Sequence, residues 1–207
     1  MSQIYYEELK DLARKVRQRF CLETPRVMLS DMRTIYKDYK IDVDLWPRKD
    51  LPAVKLKGLR GAFFSDSYGC SVLINRHLPV EPRIFTMGHE LKHFLKDQNL
   101  GSLWCGDDNT KDIIEIGAEI FSAELIFPDQ DFKDRFDALS SGCSACVAEK
   151  LVHLKKETLT TLSYTALSKK AIFFKFAKSN DFKGVKWTKL EENLYGVPYH
   201  KQKRSFI

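Results

Sequence analysis

The stretch that decides the fold is Phe85–Leu95, FTMGHELKHFL, which contains the pattern H-E-x-x-H as His89, Glu90 and His93. In a helix, residues four apart project from one face, so the two histidines point the same way. Two imidazoles at that spacing are able to hold one Zn²⁺, with each ring nitrogen about 2.0–2.1 Å from the metal. Glu90 lies one residue round the helix. It is too far round to chelate with the pair, but it is placed to reach a water at the metal, as the general base of a zinc peptidase does.

The residues around the motif predict a buried helix, because the apolar ones keep helical spacing and no proline follows Pro82 within it. The apolar residues are Ile84, Met87, Leu91, Phe94 and Leu95. The motif is short, however, and it also fits a half-buried helix in which the histidines and the glutamate have no joint role. A third ligand further along the chain is needed to separate these two interpretations.

A second helix is predicted for Ile113–Ile126, with Asp112 as its N-cap and Pro128 after its end. It carries Glu115 and Glu119 one turn apart, and a carboxylate on a second helix is the third ligand of a His₂Glu catalytic zinc site. Glu115 is our candidate for that ligand. Glu119 is a candidate acceptor for the free N–H of a ligating histidine. The same spacing also fits two solvent-facing glutamates on an ordinary helix.

The two blocks together resemble the ImmA/IrrE family of metallopeptidases. The family pattern is roughly F-T-x-A-H-E-x-G-H, followed by E-x-x-A-N-x-F-A-x-x-L-L-x-P. This chain has FTMGHELKH at 85–93 and EIGAEIFSAELIFP at 115–128, in the same order and at the usual separation. The strand predicted at 72–75 is also similar, and the resemblance covers about residues 1–130. It implies a zinc-dependent endopeptidase of narrow specificity whose protein substrate is typically a DNA-binding repressor, cleaved to switch on genes.

The resemblance assigns the metal ligands to His89, His93 and Glu115 and the catalytic glutamate to Glu90. The chain departs from the family pattern at four positions. Lysine replaces a common glycine at Lys92, glycine and serine replace alanine at Gly88 and Ser122, and glutamate replaces asparagine at Glu119. Three steps of about 100° turn residue 92 about 60° away from His89. We therefore expect Lys92 to flank the cleft without competing for zinc and to influence which substrate charges are preferred.

The remaining patterns predict an α+β fold. We expect a zincin-like core, in which a small, mostly antiparallel sheet lies beside the two motif helices, followed by a helical, basic C-terminal region. Residues 1–130 are predicted to form the zinc metallopeptidase core, and residues 131–207 the C-terminal region. The other predicted elements of the core are helices at Tyr5–Phe20 and from an N-cap at Ser30 to Tyr39, a strand at Ile41–Leu45, a hairpin of Leu59–Phe64 with Cys70–Ile74, and a loop at Asp97–Asp112.

The C-terminal region has weaker patterns. We predict a linker at Asp129–Gly142, helices at Ala145–Leu154 and Thr158–Lys169, and a strand at Ala171–Ala177. The helix pair also fits a helix-turn-helix, although packing against the core explains it as well. Cys143 and Cys146 form a C-x-x-C with no second pair nearby to complete a structural zinc site, and no thioredoxin-like unit is visible. We interpret them as small residues that open a helix.

The net charge of +6 is concentrated at the C-terminal end. Residues 150–207 carry 13 basic and 4 acidic residues, while residues 1–149 carry 21 and 24. A basic segment with interleaved aromatic residues, among them Trp187, Tyr195, Tyr199 and His200, is able to bind nucleic acid, and it equally fits a docked tail or a solvated surface. Nucleic acid is therefore one possible partner, beside a protein substrate.

Two further observations concern the compartment. No apolar run approaches the roughly 18–20 residues that span a bilayer, and no signal peptide pattern opens the sequence. The lack of a spanning run predicts no membrane partner. Five cysteines, an odd number in a sequence without an export signal, favour reduced thiols in a cytoplasm. Two other functional classes fit the sequence. One is a metal-binding regulatory module that sequesters a partner without cleaving it, and the other is a DNA-binding regulator that uses the basic C-terminal region.

Overall fold

The computed structural model describes residues 2–47, 59–67, 69–100, 103–105, 113–142 and 146–198. The chain divides into two compact units, Met1–Pro128 with Thr160–Leu162, and Asp129–Leu159 with Ser163–Ile207. The functional division expected between residues 1–130 and 131–207 stays a prediction. No helix in the described part of the chain is both long enough and apolar enough to cross a membrane.

The first unit contains four helices and four strands in its described part. They are α1 (Ser2–Arg19), α2 (Leu29–Asp38), β1 (Asp42–Trp46), β2 (Gly61–Asp66), β3 (Gly69–Asn75), α3 (Val80–Lys96), β4 (Leu103–Cys105) and α4 (Ile113–Ile126), with a 3₁₀ turn at Gln98–Leu100. The strand order in the sheet is β1-β3-β2-β4. The β1–β3 pair is parallel, whereas β2 pairs antiparallel with both β3 and β4. The expected α+β fold with a mostly antiparallel sheet is therefore confirmed.

Helix α3 is the central element of the first unit. Every residue from Thr86 to His93 is buried, so this part of the helix has no solvent-facing side. Its polar side chains consequently need partners inside the protein, because a buried polar group without a hydrogen bond is destabilising. Tyr36 of α2 fixes the helix from one side by donating a hydrogen bond of 2.7 Å to the carbonyl oxygen of Met87.

Helices α1 and α4 pack against each other, and α4 also packs against α3. Arg17 of α1 donates hydrogen bonds of 2.8 and 3.2 Å to the carbonyl oxygens of Leu125 and Ile126 at the end of α4. These carbonyls belong to the last turn of the helix, where carbonyl groups have no hydrogen-bond donor within the helix. The negative end of the helix dipole also favours a cation there. Arg14 adds an ion pair of 2.7 Å with Glu124, whose side chain is 1% exposed. Helix α4 is thus held in a fixed position beside α3.

The second unit is helical in its described part. It contains α5 (Asp129–Gly142), α6 (Val147–Thr158), α7 (Tyr164–Phe173), a 3₁₀ turn at Ser179–Phe182 and α8 (Trp187–Tyr195). Its core includes aromatic pairs, among them Phe136 stacked on Phe176 with ring centroids 4.6 Å apart. Tyr164 and Trp187 stack with centroids 4.7 Å apart and connect α7 to α8. The expected helical character of the C-terminal region is confirmed.

Several detailed predictions for this second unit were wrong. The segment expected as a linker, Asp129–Gly142, is helix α5, because Phe132 and Phe136 lie one turn apart on a buried face. The strand expected at Ala171–Ala177 is absent from the described residues, since α7 continues to Phe173 and ends there. Cys143 and two of its neighbours lie outside the described residues, as do Tyr199 and His200.

The boundary between α6 and α7 also differs from the expected one. Helix α6 continues through the predicted break to Thr158 and ends at Leu159, which has a left-handed φ of 53°. Helix α7 begins at Tyr164, where the Ser163 hydroxyl accepts a hydrogen bond from the Ala166 amide. The capping residue therefore set the start of α7, and residues 155–157, which separated the two predicted helices, belong to α6.

Two boundaries in the first unit also differ. The N-cap of helix α2 is Met28 and not Ser30, and the carboxylate of Asp31 in the first turn accepts a hydrogen bond of 2.7 Å from the Met28 amide. The segment 97–112, expected as a loop throughout, contains the 3₁₀ turn and strand β4. The predicted N-cap, Asp112, lies outside the described residues.

Candidate metal centre

The structure brings together the three side chains that the sequence singled out as metal ligands. One donor atom from each of His89, His93 and Glu115 lies within 4.8 Å of the other two. The two histidines lie on successive turns of α3, and Glu115 lies in the first turn of α4. Because α3 and α4 pack against each other, a carboxylate at the start of one faces the imidazoles of the other.

The spacing of the donor atoms fits a metal ion. The Nε2 atom of His89 lies 3.1 Å from Oε2 of Glu115, and the Nε2 atom of His93 lies 3.5 Å from Oε1. Two donors that each lie about 2.0–2.1 Å from a tetrahedral ion are about 3.3–3.4 Å apart. The two distances lie on either side of that value. One carboxylate and two imidazoles of this arrangement are therefore able to bind one metal ion.

His93 is held by a second carboxylate. Its Nδ1 atom lies 2.7 Å from Oδ2 of Asp97, and its side chain is fully buried. Burial lowers the pKa of His93 below its ordinary value, although the hydrogen bond with Asp97 opposes that shift. The imidazole therefore stays neutral at pH 7, as a metal ligand must be. With Nδ1 turned to Asp97, Nε2 is left to face Glu115 and the metal position.

At His93, Asp97 takes the supporting role that was expected of Glu119. The prediction of Glu119 as the acceptor for a ligand N–H is not supported at His93, where Asp97 is the partner. Asp97 immediately follows α3, one turn after His93, so the same helical spacing that pairs the two histidines also brings Asp97 to the second of them. A carboxylate four residues after the second histidine was the sequence signal for this contact.

The expectation for Lys92 was wrong. Its side chain is 0% exposed and does not flank a cleft. Its Nζ atom donates hydrogen bonds of 2.6 Å to Oδ2 of Asp97 and 3.0 Å to the carbonyl oxygen of Ile114. The helical angle had placed Lys92 correctly away from the metal side, but the helix is buried on that side as well. No basis remains for a direct influence of Lys92 on substrate charge.

Glu90 is fully buried and lies against strand β2. A Cβ atom at Gly61 would come within 2.4 Å of Oε1 of Glu90 and within 2.7 Å of Cγ2 of Thr86. Glycine at position 61 therefore lets the strand approach the helix closely enough to hold the Glu90 carboxylate in place. Gly61 was not among the predicted site residues, although a glycine inside a predicted strand is a known sign that another element approaches the backbone closely.

Another close contact joins Gly88 of α3 to Ser122 of α4. A Cβ atom at Gly88 would come within 2.5 Å of the Ser122 hydroxyl oxygen. That hydroxyl donates a hydrogen bond of 2.8 Å to the carbonyl oxygen of Phe85. The two departures from the family pattern are thus one physical change, because the serine occupies the volume that a glycine leaves open.

The comparison with known proteins agrees with this geometry. A family model described as the IrrE N-terminal-like domain, Peptidase_M78, matches residues 51–141. The matched segment includes all three members of the candidate metal cluster and Glu90. No curated protein matches the chain. The match over residues 51–141 supports an ImmA/IrrE family peptidase, the family that the two sequence blocks resemble.

Proposed function

We propose that this protein is a zinc-dependent endopeptidase of narrow specificity that cleaves a repressor-type DNA-binding protein in the cytoplasm. The carrying observation is the convergence of His89, His93 and Glu115 at distances that suit a tetrahedral ion. The family match supports peptide-bond cleavage with a metal cofactor. Three described cysteines, Cys21, Cys70 and Cys146, are free thiols and fit a reducing compartment.

The donor set supports zinc as the metal. Two imidazole nitrogens and one carboxylate oxygen are the protein ligands of a typical catalytic zinc site, which keeps its fourth position open for water or substrate. Calcium and magnesium prefer oxygen ligands, so a site with two imidazoles disfavours them. When bound, zinc supplies Lewis-acid chemistry that polarises a carbonyl and lowers the pKa of water.

The residues of this chain divide the remaining work. His89, His93 and Glu115 would hold the ion, and Asp97 keeps the His93 ring in the orientation that presents Nε2. Glu90 follows His89 on the same helix and is the proposed general base. Its carboxylate takes a proton from the attacking water and returns it to the leaving amine. The close approach of Gly61 limits the positions open to that carboxylate.

The substitution Glu90→Gln tests the peptidase mechanism. An amide cannot accept the proton, and loss of a general base typically lowers the rate by about 10²–10⁴-fold. Glu90 is not a ligand in this scheme, so the variant should keep one zinc per chain and the wild-type melting temperature. We expect zinc content by elemental analysis to be unchanged while product formation is lost.

The substrate is identified by comparing cells that express the wild type with cells that express Glu90→Gln. Labelling of protein N-termini should reveal a new terminus, in the wild-type cells alone, within a DNA-binding repressor. The length of that repressor and the output of a reporter gene under its control are then measured in both strains. If the wild-type cells show no new terminus that the Glu90→Gln cells lack, proteolysis is rejected and metal-supported binding of a partner remains as the function.

A further inference from the structure

We propose that Lys92 is a positioning residue of the metal centre, which fixes two of the three ligands through hydrogen bonds to Asp97 and to the Ile114 carbonyl. This inference rests on the proposed metal site. Lys92 stands where the family pattern tends to have glycine, so the device is a feature of this chain.

The ammonium group of Lys92 is buried and therefore needs partners inside the protein. Lys92 is fully buried, and lysine is almost never found so unless it is paired. Its two hydrogen bonds, to Asp97 at 2.6 Å and to Ile114 at 3.0 Å, account for the pairing. The ring of Tyr5, with its centroid 5.8 Å from Nζ, adds a favourable face for the cation.

Both hydrogen bonds of Lys92 are made to groups that lie next to a proposed metal ligand. The oxygen of Asp97 that accepts from Lys92, Oδ2, is the same atom that contacts Nδ1 of His93. Ile114 directly precedes Glu115 in the first turn of α4. Lys92 thus ties the carboxylate that orients one ligand to the backbone that carries another.

Ordering the ligands before the metal binds has an entropic cost. Without Lys92, His93 would be the one remaining partner of this Asp97 oxygen among the described residues, and a carboxylate with one partner has more positions open to it. Lys92 therefore helps to keep a fixed carboxylate behind His93, and the ligands are ordered before metal binds.

The test is the affinity of the purified full-length protein for Zn²⁺, measured by competition with a chelating dye. In Lys92→Met the side chain keeps its approximate length but loses its charge and its donors. Outer-shell partners of metal ligands contribute about 10- to 100-fold to metal affinity, so we expect at least about tenfold weaker binding. The Co²⁺-loaded variant should also show a changed visible absorption spectrum, because ligand geometry sets that spectrum.

Lys10→Met is the matched control. Lys10 is also mostly buried in the first unit, where it pairs with Glu7 at 2.9 Å. Removing it tests whether loss of a buried ammonium alone weakens the site. We expect Lys10→Met to keep the wild-type zinc affinity and Co²⁺ spectrum, whatever its melting temperature. Equal losses in both variants would assign Lys92 a merely structural role.

Lys92→Gln serves if the methionine variant does not fold, because its neutral amide is one bond shorter and should not reach both Asp97 and the Ile114 carbonyl, so we expect weaker zinc binding in this variant as well. Wild-type zinc affinity in either folded variant would overturn the proposal, and so would failure of both to fold, since the role would then be structural. A wild-type protein that binds no zinc would instead reject the proposed metal site. The two failures are therefore distinguishable.

Discussion

Helix α3 and helix α5 differ in how their residues are buried. In α3 the burial is continuous from Thr86 to His93 and includes the charged residues Glu90 and Lys92. In α5 the buried residues include Phe132 and Phe136, one turn apart on a single face, and acidic residues open the helix. Helix α3 contains buried polar and charged side chains that require hydrogen-bond partners in fixed positions, whereas α5 needs only an apolar face. We therefore expect α3 to be sensitive to small polar and steric changes and α5 to loss of volume.

The largest expected effect on stability lies in the second unit. Phe136→Ala removes a ring that is 3% exposed and stacked on Phe176. Large-to-small substitutions of buried aromatic residues cost about 3–5 kcal/mol. Chemical denaturation should show a loss of this size, while the folded variant keeps one zinc per chain. Loss of zinc from the folded Phe136→Ala protein would contradict the division between the two helices.

Gly61→Ala should have the next largest effect, chiefly on the rate and to a smaller extent on stability. The added methyl would collide with the Glu90 carboxylate at 2.4 Å and with Cγ2 of Thr86 at 2.7 Å, and the carboxylate is the more flexible of the two groups. A misplacement of about 1 Å in a catalytic group lowers the rate by about 10²-fold. Zinc content should be unchanged, and substrate cleavage is the measurement. A Gly61→Ala enzyme with wild-type turnover would show that the close approach of β2 does not position Glu90.

Gly88→Ala should have a smaller effect, and one that a second substitution reverses. The new Cβ would lie 2.5 Å from the Ser122 hydroxyl, and overpacking of this kind costs about 1–3 kcal/mol. Ser122→Ala removes the hydroxyl together with its hydrogen bond to Phe85, at a cost of about 1 kcal/mol. In the double variant the closest remaining contact at position 122 is with its Cβ at 3.2 Å, which requires a much smaller shift, and the helix gains a better helix former at position 88.

A double-mutant cycle by denaturant unfolding measures this coupling. We expect the Gly88→Ala/Ser122→Ala protein to be more stable than the sum of the single variants predicts, by about 0.5–3 kcal/mol. Additive costs would mean that the two positions are independent. In that case the alanine pair of the family pattern and the Gly88–Ser122 pair of this chain would not be alternative solutions to one packing problem.

The motif helices were predictable because chemistry fixes their spacing. The interval between His89 and His93, and a carboxylate opening a second helix, led to the cluster that the structure assembles. The first strand followed from alternating apolar residues at 41–45, and the hairpin from two apolar runs separated by turn residues. The detailed partners were not predictable, because Asp97, Gly61 and the buried end of Lys92 are defined by contacts between elements. A sequence period shows which side of a helix a residue occupies, but not whether that side is covered.

The second unit was predicted less well for a related reason. Asp129–Gly142 is polar enough to resemble a linker, and two buried phenylalanines one turn apart were too weak a signal to outweigh that. The end of α6 depended on a single left-handed residue, Leu159, which no propensity favours. Ser163, an ordinary capping residue, was the one clear signal for the start of α7, and the sequence analysis did not use it.

The most direct test of the central claim is the zinc stoichiometry of three proteins, the wild type, Glu115→Gln and Glu119→Gln, purified in parallel. The two glutamates lie one turn apart on α4, so each variant controls for the loss of a carboxylate from the same helix. Elemental analysis should give about one zinc per chain in the wild type and in Glu119→Gln. Glu115→Gln should lose most of its zinc, because its carboxylate faces both imidazoles. Full zinc in Glu115→Gln, with loss in Glu119→Gln, would contradict the assignment of the metal centre.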